Sequence, residues 1–479
     1  MESPNILASP ANHPRISHVG LLIVSQVARW SARLGFVVFA ARLLGPSRFG
    51  VYALLLTLVE FLAVASGSGY ADYLTREAAK DEQVGWSVGW RLVILRVVIA
   101  FPAIFLEVGV LRLLGYQTST LWLAAGLGLV LVPRALSEAI QGVLRGTRRY
   151  GLVLLIDVAA GAVLLCGGSW LVLRGGELVS VVAVEVISAV IAALVSLAMW
   201  FRLRSPNSVD IAWRGLIRKT LVFNIYPFTA SLYNRVDIVV LSKLAGAYAT
   251  GVYSVAYRVF GPLQLIPYGV LYSLLPSVSR DNWGEIERRR LEKAMGLLLC
   301  LSFIIVLATA ALSGFLLHLL LGEQYSESVN VLKIIIWAVI PMYMNYALNV
   351  GLLAAGQERV FLTTTSVCMI VNLVGNLIFI PFFSWRAAAA LTIITELVLL
   401  AQNLYWIRRK IGGLALPFGM VRTSAAFGIV LIVAILGGKF ISPVHMWSAA
   451  LCSFLAYLYT TGLVSEFAAV WNWKRRVAL

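Results

Sequence analysis

Charge is what this chain has least of. Aspartate, glutamate, lysine and arginine make 13% of its 479 residues against 60% hydrophobic, too little polar sequence to coat a soluble fold of this length. Cysteine is also scarce. Cys166, Cys300, Cys368 and Cys452 lie in separate apolar stretches, which disfavours a disulfide framework and fits small packing side chains. The histidines, His13, His18, His318 and His445, are too dispersed for a metal site. No glycine-rich loop followed by Lys-Ser or Lys-Thr occurs, so nucleotide hydrolysis is not expected and no cofactor is implied. The polar start, MESPNILASPANHPRISH, lacks the compact apolar core and cleavage site of a secretory signal.

What the chain has in abundance is apolar sequence of bilayer length. About fourteen stretches follow one another, near 17–43, 49–69, 88–113, 119–143, 151–173, 178–201, 220–244, 249–274, 294–321, 329–353, 361–383, 386–407, 423–441 and 446–470. Their lengths fit helices rather than the shorter tilted strands of a barrel, and backbone polar groups in lipid must find partners within the span. The expectation is an all-α, multi-pass integral membrane protein.

The bases set the orientation. Twenty-four lysines and arginines fall in connections on one side and six on the other. Cationic loops resist translocation, so both termini and the basic loops are expected in the cytoplasm. The same scatter of bases over many loops, without a folded basic module, argues against nucleic acid as a partner.

Two segments echo one another. Gly45-Pro46-Ser47-Arg48-Phe49-Gly50-Val51-Tyr52 corresponds to Gly246-Ala247-Tyr248-Ala249-Thr250-Gly251-Val252-Tyr253, an offset of 201, and Gly146-Thr147-Arg148-Arg149 is aligned with Gly356-Gln357-Glu358-Arg359. An even number of spans per repeat implies parallel six-helix lobes, 1–204 and 215–410, around a central cavity, with two further helices in 423–470. The charged stretch Arg202–Lys219, with Ser-Pro-Asn at its centre, marks the boundary.

Leu44–Lys80 (LGPSRFGVYALLLTLVEFLAVASGSGYADYLTREAAK) and Asn234–Arg280 (NRVDIVVLSKLAGAYATGVYSVAYRVFGPLQLIPYGVLYSLLPSVSR) resemble matching regions of O-antigen and polysaccharide flippases. These belong to the multidrug/oligosaccharidyl-lipid/polysaccharide exporter superfamily. The resemblance implies an alternating-access transporter, not an enzyme, in a bacterial plasma (inner) membrane. Its implied cargo is a lipid-linked oligosaccharide, such as that of lipopolysaccharide, moved from the inner to the outer leaflet, with a polysaccharide polymerase and chain-length machinery as possible partners beside the bilayer.

Intramembrane charge gives an independent reading. Nine bases lie within or at the edges of the spans: Arg29, Arg33, Arg91, Arg96, Arg134, Arg235, Lys243, Arg258 and Lys333. A charge at bilayer depth costs about 2.5–3.5 kcal/mol or more unless paired or hydrated. Lys243, Lys333 and Arg91 can snorkel, Arg96 can pair with another buried acid, and Arg134 stands four residues before Glu138, the spacing of an intrahelical ion pair that competes with substrate contact. Arg29, Arg33, Arg235 and Arg258 lie deeper. They are the candidates for a cationic pocket suited to a diphosphate, against the alternative of structural pairing with Glu60, Asp237 or Glu396, which are equally candidate coupling acids.

Pro133, Pro227, Pro262, Pro267 and Pro341 offer kinks. Tyr226, Tyr233, Asn234, Tyr257, Gln264, Tyr268 and Tyr272 offer ring faces and polar edges to a sugar path or to helix packing. A cation-coupled multidrug exporter, kept open by Glu60 and Glu396, and a membrane glycosyl-polymerase, disfavoured by short outer loops, are the alternatives to a flippase.

Overall fold

The computed structural model describes residues 16–67, 70–203, 213–267, 285–412, 418–437 and 442–462, and all regular structure among them is helical. Among the described residues, ten helices are long and apolar enough to cross a bilayer. The first of these, Val24–Ala65, holds two spans, because Gly45 inside it has φ 68° and ψ 172°. Glycine tolerates that conformation, and Pro46 then opens the next helix, where its missing N–H costs nothing. The Trp213–Leu244, Gly246–Phe260 and Pro443–Thr460 helices overlap the seventh, eighth and fourteenth expected spans, and 268–274 and 463–470 of the last two lie outside the described residues.

Proline also explains two interruptions. The Thr118–Gly128 and Leu131–Gly146 helices are one expected span, broken at Leu129–Val130, where Pro133 has no N–H to give the Leu129 carbonyl. A 3₁₀ turn, Ile336–Ala338, joins Ser326–Ile335 to Val339–Ala354 just before Pro341. By contrast, Pro227 lies within the Trp213–Leu244 helix.

The stretch after the second span is more ordered than its sequence reading as a connection. Tyr70–Lys80 is an amphipathic helix that buries Tyr70, Tyr73, Leu74 and Ala78, in a cluster with Trp86, Leu92, Ile140 and Val143. Asp81 then caps the Glu82–Leu113 helix by accepting from the backbone N–H groups of Gln83 and Val84.

The chain divides into two compact units, Met1–Leu43 with Val59–Pro227, and Leu44–Leu58 with Phe228–Leu479. In the second unit Phe303 stacks on Phe427 with ring centroids 4.0 Å apart, and Phe454 meets both edge-on. These rings hold the last two helices to the Glu285–Leu321 helix.

The first echo is structural. Gly45 and Gly246 both have positive φ, and Tyr52 and Tyr253 are both fully buried. Within the second unit the two copies meet reciprocally: a Cβ on Gly50 would lie 1.8 Å from the Ala247 carbonyl oxygen, and one on Gly251 1.9 Å from that of Pro46. The second echo is out of register by two residues. Thr147, Arg148 and Arg149 end their helix with hydrogen bonds to Val143, Arg145 and Leu144, and the same pattern recurs from Ala355, Gly356 and Gln357 to Gly351, Leu353 and Leu352. The left-handed position is Arg148 in one copy and Gly356 in the other. The shared helix ending, not the glycine letter, carries the equivalence.

Candidate functional site

The first unit ties its buried bases to acids on other helices. Arg33 donates through Nη1 to both Glu185 carboxylate oxygens, at 2.6 and 2.5 Å. Four residues earlier, exposed Arg29 donates to the Gln26 side chain. Ser25, on the same helix, donates to Asp157 at 2.5 Å, so this span is fastened to the Tyr150–Arg174 and Leu178–Leu203 helices. Arg96 pairs with Glu138 at 2.8 Å, and Arg134 Nε donates to the other oxygen of Glu138 at 2.6 Å. The i,i+4 pair read from sequence is present, and so is a buried acid for Arg96. Glu60 lies within Coulombic reach of Arg134.

In the second unit two buried acids, Asp237 and Glu396, accept hydrogen bonds from neutral groups. Asp237 accepts from the Tyr253 hydroxyl and from the Ile238 backbone N–H, the latter at 2.8 Å. Glu396 accepts from the Tyr233 hydroxyl at 2.9 Å and from Asn345 Nδ2 at 2.8 Å. Asn403 in turn donates to Asn345 Oδ1 at 3.2 Å. Both carboxylates border a narrow cleft lined by Tyr233, Asn234, Asp237, Tyr257, Phe260, Gln264, Met342, Asn372, Thr392, Thr395 and Glu396. Oxygen ligands of this type can hold a proton or a hard cation.

The structure therefore brings Asp237 and Glu396 together with Tyr233, Asn234, Tyr257 and Gln264, while Arg29 and Arg33 stand in the first unit. Half-buried Arg235 is within Coulombic reach of Asp237, and Arg258 is half-buried on the Gly246–Phe260 helix. The Tyr226, Tyr268 and Tyr272 side chains lie outside the described residues. Three membrane acids escape a reading that tabulates only bases: Asp157, Glu185 and Glu107, whose two carboxylate oxygens are buried without a hydrogen bond among the described residues. An inventory of acids within the spans would have found all three.

The model of a family described as polysaccharide biosynthesis protein matches residues 39–330. Agl15 of Haloferax volcanii, a probable low-salt glycan biosynthesis flippase, is 21% identical over 364 residues, covering 74% of this chain and 75% of that protein. Among solved structures, lipid II flippase MurJ in an inward closed conformation superposes with a TM-score of 0.69 at 14% identity, covering 93% of this chain and 100% of that one. An inward-facing multidrug resistance transporter of the MATE family, in the MOP superfamily, superposes with a TM-score of 0.65 at 15% identity, covering 82% and 98%. The two structures share their fold with this chain.

Proposed function

The chain belongs to the polysaccharide biosynthesis protein family, and from that premise we propose that it is a lipid-linked oligosaccharide flippase. It carries a polyprenyl-diphosphate-linked oligosaccharide from the cytoplasmic to the outer leaflet by alternating access, as a transporter rather than an enzyme. The likeness to Agl15 supports this cargo class. The observation that carries the reading is the density of guanidinium groups at span depth in the first unit. Arg29, Arg33, Arg96 and Arg134 are costly there unless they serve structure or cargo, and planar guanidinium forks suit phosphate oxygens.

Within this reading Arg29, Arg33, Arg235 and Arg258 contact the cargo, and Asp237 and Glu396 take the coupling ion or proton. The tyrosine and amide edges of the second unit's cleft face sugar hydroxyls. The basic loops and both termini lie in the cytoplasm of a bacterial cell, and a polymerase with its chain-length machinery takes up the cargo on the opposite face.

Deleting the gene in its native host tests the reading. Surface polysaccharide should be lost while its lipid-linked repeat accumulates on the cytoplasmic side. Normal surface polysaccharide without that accumulation contradicts it.

A further inference from the structure

We propose that Arg134 is a phosphate-binding residue, its guanidinium fork held toward the oxyanion by the Arg96–Glu138 pair behind it; this rests on the flippase reading. The sequence alone leaves Arg134 between pairing with Glu138 one helical turn away and contact with the cargo. The structure gives that carboxylate a prior claimant. Arg96, from the Glu82–Leu113 helix, is 3% exposed and pairs with Glu138 at 2.8 Å. Its Nε is buried without a hydrogen bond, so Glu138 is the compensation that keeps Arg96 in the span. One carboxylate faces two guanidiniums, and the trio carries a surplus positive charge.

Arg134 is the accessible member of the pair, its side chain 40% exposed against 3% for Arg96. Only its Nε is engaged, by Glu138 Oε1 at 2.6 Å, while Nη1 and Nη2 make no hydrogen bond among the described residues. These two terminal nitrogens are the pair that grips a phosphate bidentately. A side chain fixed through Nε enters such a contact with less rotamer freedom to lose.

Arg134 is also within Coulombic reach of Glu60 and Arg33, and Arg33 is itself paired with Glu185. Arg134 also stands directly after Pro133, beside the Leu129–Val130 interruption, so its position is set by the start of a new helical segment. Arg134 touches the phosphate; Glu138 and Arg96 are positioning residues.

Full-length protein in lipid nanodiscs tests this by binding of farnesyl diphosphate, with farnesol and inorganic diphosphate as separate arms. Farnesyl diphosphate should bind more tightly than farnesol, and inorganic diphosphate should bind more weakly through the same residue. Arg134→Gln should weaken the farnesyl diphosphate complex by about tenfold or more, the scale of a lost charged hydrogen bond. Arg134→Lys should lose less, since charge remains without the fork, and Arg174→Gln should bind as wild type. If the Gln variant does not fold, the Lys variant carries the test, and wild-type affinity there overturns the fork. Wild-type affinity in a folded Arg134→Gln protein, with binding lost in Arg29→Gln and Arg33→Gln, overturns the Arg134 assignment and leaves the flippase reading standing. A wild-type protein that does not discriminate farnesyl diphosphate from farnesol overturns both.

Discussion

In the first unit the span bases Arg33 and Arg96 are met by charges of opposite sign, Glu185 and Glu138. In the second unit the buried acid Glu396 is met by the hydroxyl of Tyr233 and the amide of Asn345. The difference has a physical consequence. A carboxylate locked to a guanidinium has lost its appetite for a cation, whereas one surrounded by neutral donors keeps its charge available to a proton or metal ion. By the same reasoning, an arginine that shares its acid with another arginine keeps part of its attraction for an anion.

The largest effect should come from removing an acid in the first unit. Glu138→Ala leaves Arg96 buried without a counter-ion, and the unfolding free energy should fall by about 3–5 kcal/mol, read from denaturation in detergent. A smaller loss, about 1–3 kcal/mol, is expected for Glu396→Ala, which strands the neutral donors of Tyr233 and Asn345. Equal losses would erase the distinction between the units. Glu396→Gln sharpens it further: the amide oxygen still accepts, so stability should stay near wild type while cation-driven transport fails. Unchanged transport in a folded Glu396→Gln protein would remove its coupling role. The exposed Arg289–Glu285 pair serves as the baseline, and Arg289→Ala should leave stability unchanged.

Much of this was legible in sequence. Hydropathy gives the spans, because lipid imposes helices of one length, and the first echo places Gly50 and Gly251 at equivalent positions that prove to be in contact. The Arg134–Glu138 pair followed from helical periodicity. Arg33–Glu185 did not, since the partners are 152 residues apart and nothing local couples them. The amphipathic Tyr70–Lys80 helix was hidden because its apolar face is too short for a span, and the second echo misled because a glycine letter outweighed a helix ending. In the site, Asp237 and Glu396 were picked out as charges at depth, but their hydroxyl and amide partners lie on separate helices and needed the fold.

The central claim is that this chain moves a prenyl-diphosphate glycan across a bilayer by way of guanidinium contacts. Proteoliposomes loaded with a fluorescent prenyl-diphosphate disaccharide, whose inner-leaflet pool is shielded from a membrane-impermeant quencher, measure that movement directly. Wild-type protein should accelerate exchange between leaflets well above protein-free vesicles, and the Arg33→Gln and Arg134→Gln variants should fall toward that background at equal protein incorporation. Exchange no faster than in protein-free vesicles, with correctly folded wild-type protein present, would contradict the claim.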